Sequence, residues 1–480
     1  MITNMKLYFI LSVLMFTIPL TSFAQDNQKI QTIDKTDTIA VNGLKSLKLL
    51  EIRGMKVSVN GDAPSHSIIY HVHIKASKRA IDKNFGNGQL YFDRNNDQGE
   101  LKFRPVESTQ NSEDNMTWIK ALLTKHHHDH DVIIKEASLS LIIPSHLQFA
   151  IHSKYSNISI ASISGNVRLD GRSGKIIAND LGANLYVENN YGNILLNNVA
   201  GSATIKGKSA TLNLQNIGGN VNINADYSNI DINQSNGDIT VQDKSGTLHL
   251  SNISGNVTHR GNYSDLYLTD IKGSADVETE SGKVRATNIG SLRMAGDYTN
   301  VNAQSVNGEN GITIKGKSAK YTLNLVKGPV TVSAEYANIE LKNIQGNVSV
   351  DNKSGSVKSE QLKAAFTGNG DFNQYTLNDY EGHDITIRNK SGNVKINAVR
   401  TLRFVKIHNV YGNVEVILNK PFKGKVHLQT TSGIIQTNLK LQSLKSNQST
   451  DEKVMEGKLG THDSILDIET SNGKIHIEQR

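Results

Sequence analysis

Residues 158–166 read I-S-I-A-S-I-S-G-N, and residues 167–175 read V-R-L-D-G-R-S-G-K. The first nonapeptide is apolar at positions one, three and six, the second at positions one and three. Successive side chains of an extended chain point to opposite faces, so positions one and three of each short strand face inward together. The same pair returns at residues 248–265 and 339–356, and an apolar residue recurs every nine positions through Ile158, Val167, Ile176, Leu185, Ile194, Ala203, Leu212, Val221, Ile230 and on to Val284. No isolated helix or hairpin requires such a cadence. Each buried aliphatic contributes about 1.5 to 3 kcal/mol, so one coil cannot stand alone, whereas a stack can.

The expected fold is therefore all-β: a right-handed parallel β-helix, or β-solenoid, of about 18 residues per coil with an N-terminal β cap region. About 13 coils fit between Ile158 and Ile396, a stack about 60 Å long at the usual strand spacing. Left-handed hexapeptide helices repeat an apolar residue every six positions, but here Ile158, Ile163 and Val167 are spaced five and four. Parallel β connections also favour the right hand. Gly165, Asn166, Gly255, Asn256, Gly346 and Asn347 are expected to supply the positive φ of the turns. Proline is missing between Pro144 and Pro329, as uninterrupted strand ladders require.

At 480 residues the chain exceeds one compact core, and its modest aromatic content of 6% with 39 glycines suits many short strands and tight turns. Residues 1–24 carry one lysine, an apolar run from Leu7 to Leu20 and Ser22-Phe23-Ala24, the pattern of a cleaved secretory signal. The implied address is periplasmic, cell-surface or extracellular, and no later apolar run is long enough for a transmembrane span. The net charge of +7, or +6 without Lys6, is scattered and not gathered into a basic stripe interleaved with aromatics, which argues against nucleic acid. Cysteine is absent, which excludes disulfides, a thiol nucleophile and cysteine zinc sites.

Taken in order, residues 25–150 read as an N-terminal β region with an inserted His-rich segment at 106–131. Residues 151–398 read as solenoid repeats, and residues 399–480 as the last coils and a cap. Within the final part, residues 443–460 look like a polar loop, and residues 323–330 look short for the cadence.

The S-G-N-V, S-G-K-I and N-G-D-I turns, preceded by L-S-L-I-I-P-S-H-L at residues 139–147, resemble bacterial adhesin-like proteins of unknown function built from S-G-D-I/V repeats. They are also similar to auto-transporter adhesin head domains of Bacteroidetes. The resemblance implies a right-handed β-helix exported to the envelope without a recognised catalytic constellation. An exported, non-enzymatic binding or structural module follows, with polysaccharide or another envelope component as partner. The alternatives are a polysaccharide lyase or hydrolase and a scaffold for another envelope protein.

Several motifs carry chemistry. His126, His127, His128 and His130, interleaved with Asp129 and Asp131, are metal-ligand types and form the sequence's candidate metal site. Residues 311–318, G-I-T-I-K-G-K-S, match a phosphate-loop pattern, but strands on both sides leave no helix to present backbone amides to phosphate. Turns reading S-G-N and S-G-K lack the carboxylates of calcium-binding rolls. Asp226 with Asp231, and Asp276 with Glu278, are the nearest carboxylate pairs for glycosidase chemistry, and no cofactor is expected. The clearest surface pattern is aromatic: Tyr155, Tyr191, Tyr227 and Tyr263 recur every 36 residues, followed by Tyr298, Tyr336, Phe372 and Tyr411. Ser173, Ser209, Ser245 and Ser281 take the equivalent place on intervening coils. Such an edge can stack on sugars or simply shield its neighbours.

Overall fold

The computed structural model describes residues 29–103, 133–448 and 452–480. It is 72% strand and 2% helix, a parallel-strand solenoid of about 18 residues per turn and about 15 turns. The nonapeptides alternate between two parallel sheets, because each strand pairs with the strand two later in sequence. In one sheet Val167, Leu185, Ala203, Val221, Ile239 and Val257 stand in register. In the other, Ile158, Ile176, Ile194, Leu212, Ile230, Leu248 and Leu266 do so. All of these side chains are buried and line one continuous core.

The sixth-position residue is drawn inward by a change of backbone phase. Strict alternation after Ile160 would turn residue 162 inward and 163 outward. Ser162 instead adopts a positive φ of 59°, and Ile163 is buried. The same device recurs at Asp180, Asn198, Asn216, Gln234, Asn252, Asp270 and Asn288, each one residue before the corner side chain. Asn and Asp tolerate this left-handed conformation best among residues with a Cβ.

The positive φ thus does not fall at Gly165, Asn166, Gly255, Asn256, Gly346 or Asn347. Glycine is needed at 165, 255 and 346 for a different reason: a Cβ at each would lie 2.2, 2.5 and 2.2 Å from a carbonyl oxygen of the neighbouring coil. The asparagines beside them bind the next rung. Asn166 Oδ1 accepts the Asn184 N–H at 3.2 Å, Asn256 Oδ1 the Ser274 N–H at 2.9 Å, and Asn347 Oδ1 the Ala365 N–H at 3.2 Å. Residues 323–330 keep the cadence after all, because the missing core position is filled by the buried ring of Tyr321 in register with Val301.

Both ends depart from chain order. Strands Ser46–Arg53 and Lys56–Asn60 lie directly against Gln148–Lys154 and Asn157–Ala161, with Leu47 opposite Phe149 and Val57 opposite Ile158. On their other side lie the later strands Gln98–Phe103 and Ile134–Ile142. Antiparallel strands Leu90–Asn95 and Ser67–Ser77 continue from these, and Ile30–Ala40 pairs with the second. The C-terminal end inverts the arrangement. Strand Ser464–Asn472 slots between Phe404–Tyr411 and Gly424–Thr430, and Ile475–Gln479 lies between Val414–Leu418 and Ile435–Thr437. Residues 443–460 are not a plain loop: Gln442–Gln448 and Lys453–Leu459 form an antiparallel pair laid on Gly424–Thr430.

Candidate functional site

The aromatic edge begins with the turn beneath it. Two residues before each edge position stands a small or polar residue, partly buried at glycines such as Gly261 and Gly370 and fully buried at Asn189, Asn352, Asn389 and Asn409. Asn352 donates its side-chain N–H groups to the carbonyl oxygens of Ala337 and Ser354, at 3.0 Å each. Asn389 does so for Asn373 and Ser391 at 2.9 and 2.8 Å, and Asn409 for Gly392 and Gly412 at 3.0 and 3.1 Å. These asparagines also bind one another through Asn352–Asn373 and Asn389–Asn409. At Ser354, Ser391 and Tyr411 the edge turn is therefore fixed from inside by a buried amide that binds both its own turn and the neighbouring coil.

Aromatic and serine alternate in strict register. Ser173 stands beside Tyr191, Ser245 beside Tyr263, Ser281 beside Tyr298, Ser354 between Tyr336 and Phe372, and Ser391 beside Tyr411. Rings on every second rung are about 9.6 Å apart at the usual strand spacing. All eight aromatic side chains are between 53% and 63% exposed, so more than half of each remains open to solvent.

A second column runs beside the first, and sequence reading missed it. The residue preceding each edge position is acidic on the aromatic rungs and basic on the serine rungs at Asp226-Tyr227 and Lys244-Ser245, Asp297-Tyr298 and Lys317-Ser318, Glu335-Tyr336 and Lys353-Ser354, and Asp371-Phe372 and Lys390-Ser391. Lys244 pairs with Asp226 at 2.9 Å and Lys390 with Asp371 at 2.7 Å, and Lys317 pairs with Asp297. Their hydrogen bonds to the carboxylates hold the Lys244 and Lys317 ammonium groups above the ordinary lysine range. The signal was available at a fixed offset from the tyrosines, but it is interrupted: Lys154, Asn190, Asn262 and Val410 precede Tyr155, Tyr191, Tyr263 and Tyr411, and Glu280 precedes Ser281.

The carboxylate pairs weighed for hydrolysis have other partners. Asp226 is held by Lys244, while Asp276 and Glu278 share Arg260 at 2.9 and 3.2 Å. An open trough on the outer sheet face is lined by Lys48, Gln148, Arg168 and Tyr186, and in it the Arg168 guanidinium lies 4.0 Å from the centre of the Tyr186 ring. His126, His127, His128 and His130 lie outside the described residues. Among the described residues no helix is long and apolar enough to cross a membrane.

The model of the Toastrack DUF4097 family matches residues 296–478, less than half of the chain. That region contains Tyr298, Tyr336, Phe372 and Tyr411. No curated protein matches. Among solved structures, a chain described as a "putative cell adhesion protein from Clostridium sporogenes ATCC 15579" aligns with 94% of this chain and 100% of its own at 10% identity. Its TM-score of 0.16 is too low to carry an argument.

Proposed function

We propose that this protein is an exported, non-enzymatic, adhesin-like β-solenoid that binds an extended glycan of the cell envelope along its aromatic edge. The observation that carries the reading is the in-register alternation of exposed rings with serines on a corner immobilised from within. An aromatic face offers apolar area to the C–H face of a sugar at little entropic cost, because the ring has few rotatable bonds. Small serines between the rings leave room for a chain to lie flat, and the neighbouring acid and base columns supply hydrogen-bond partners for its hydroxyl groups. Among the described residues the short turns along this edge build no walled cleft around a scissile bond, which supports binding over hydrolysis.

The test is retention of the full chain on immobilised neutral and acidic polysaccharides, with the soluble fraction assayed for cleaved products. The expected result is retention without products, lost when Tyr263, Tyr298, Tyr336 and Phe372 are together replaced by alanine. Cleaved products would overturn the non-enzymatic reading. Retention unchanged by the four substitutions would overturn the aromatic edge.

A further inference from the structure

At the C-terminal end, the inversion of chain order gathers ligand-type side chains that sequence keeps 40 residues apart. Strand Ser464–Asn472 presents Asp467 and Glu469 outward, and Gly424–Thr430, its neighbour on one side, presents His427 directly opposite Asp467. One ligand atom from each of His427, Asp467 and Glu469 lies within 4.8 Å of the other two, and all three side chains are partly shielded. We propose that these residues form a binding site for a first-row divalent transition-metal ion, with zinc as the reference ion.

Three further observations favour an ion over a plain ion-pair cluster. First, Asp467 Oδ1 is closed to solvent and has no hydrogen-bond partner. A carboxylate oxygen left in that state is costly, and a cation removes the cost. Second, the Glu456 carboxylate contacts His427 Nδ1 at 2.9 Å. That is the carboxylate–histidine arrangement that orients an imidazole and leaves its other nitrogen to a metal. His427 Nε2 meets only the neutral amide oxygen of Gln429 at 3.2 Å, and Gln429 is itself turned by a 2.6 Å bond to Glu452. Third, His408 Nδ1 lies 3.0 Å from Glu469 Oε2 and fixes that carboxylate from the opposite strand.

The competing cation is Lys406, whose ammonium lies 3.4 Å from Asp467 Oδ2 and leaves Oδ1 free. One imidazole with two carboxylates suits zinc, manganese or cobalt better than calcium or copper(I), and three protein ligands leave at least one position for water. The ion would join the inserted strand to the outer one, fastening the end of the solenoid.

The test uses the full chain with His126, His127, His128 and His130 replaced by asparagine, so that this second histidine cluster cannot contribute. Metal-stripped protein is titrated with zinc chloride by calorimetry and melted with and without zinc. Saturation at one ion per chain with a raised melting temperature is expected. Asp467→Asn, Glu469→Gln and His427→Gln should each weaken binding at least about tenfold, and Glu456→Gln by about tenfold through loss of imidazole orientation. Should Asp467→Asn fail to melt cooperatively without metal, His427→Gln on the outer strand carries the same comparison. Absence of saturable binding, or one-to-one binding that these substitutions leave unchanged, would overturn the site.

Discussion

Asn389 donates its side-chain N–H to Oδ1 of Asn409 across 3.1 Å, and both residues are buried. Asn389 also binds the carbonyls of Asn373 and Ser391, and its Oδ1 accepts the Asn373 N–H. Asn389→Ala strands several of these groups without water. The expected loss is about 3 kcal/mol in urea unfolding, because each buried unsatisfied group costs about 1 to 3 kcal/mol.

Tyr321 occupies a core position, and its hydroxyl has no partner. Burial pushes that hydroxyl up from 10.0 to about 12. The unfolded chain therefore loses this proton first, and between those two pH values stability falls as pH rises. Burial pushes Tyr375 and Tyr380 upward as well, with the same sign. Tyr321→Phe should leave stability at neutral pH equal or slightly greater and move the alkaline unfolding midpoint to higher pH, read by circular dichroism from pH 8 to 12.

Glycines fail for two separable reasons. A Cβ on Gly246 would sit 2.1 Å from the Ser228 carbonyl oxygen of the adjoining coil, which cannot yield without parting two rungs. Gly54 has a φ of +63° with nothing within 4 Å of the same atom. Gly246→Ala should cost about 3 kcal/mol by overpacking, whereas Gly54→Ala should cost about 1 kcal/mol of backbone strain. Parallel chemical denaturation curves distinguish them.

The edge rings should be separable from the fold. Tyr263, Tyr298 and Tyr336 are 62%, 61% and 53% exposed, so each alanine variant should change stability by no more than about 0.5 kcal/mol. A larger loss in thermal melts would mean that the rings serve their neighbours and not a ligand.

Removing residues 464–480 takes out an interior rung and not a trailing end. Hydrogen exchange should then show lost protection from Phe404 onward, while strands between Ile176 and Ala295 keep theirs, since coils in a stack depend mainly on their immediate neighbours.

Much of the solenoid was legible because its contacts repeat at a fixed separation: Ile194 and Leu212 are partners, and so are Leu212 and Ile230. The ends were not, because Val57 pairs with Ile158 and Phe404 with Ile465, and single pairings leave no period to detect. Tyr321 was passed over because a tyrosine does not announce itself as core. The turn glycines misled by being consistent with either a positive φ or a close backbone approach. The aromatic edge was readable from its period of 36 residues, whereas breaks in its acid and base column, such as Asn262 and Glu280, hid the pairing. The grouping of His427 with Asp467 and Glu469 depends wholly on the inverted strand order.

That inverted order also has a kinetic side. Each interior rung closes a loop of about 18 residues onto a template already in place, a local step of low contact order. Bringing Lys56–Asn60 against Asn157–Ala161 closes about 100 residues, which costs about 1.5 kcal/mol more in chain entropy. The middle of the solenoid is thus built to nucleate and elongate, and its two ends to arrive last. Until they do, the growing stack presents unpaired strand edges, so the interval before end closure is when this protein is most exposed to self-association.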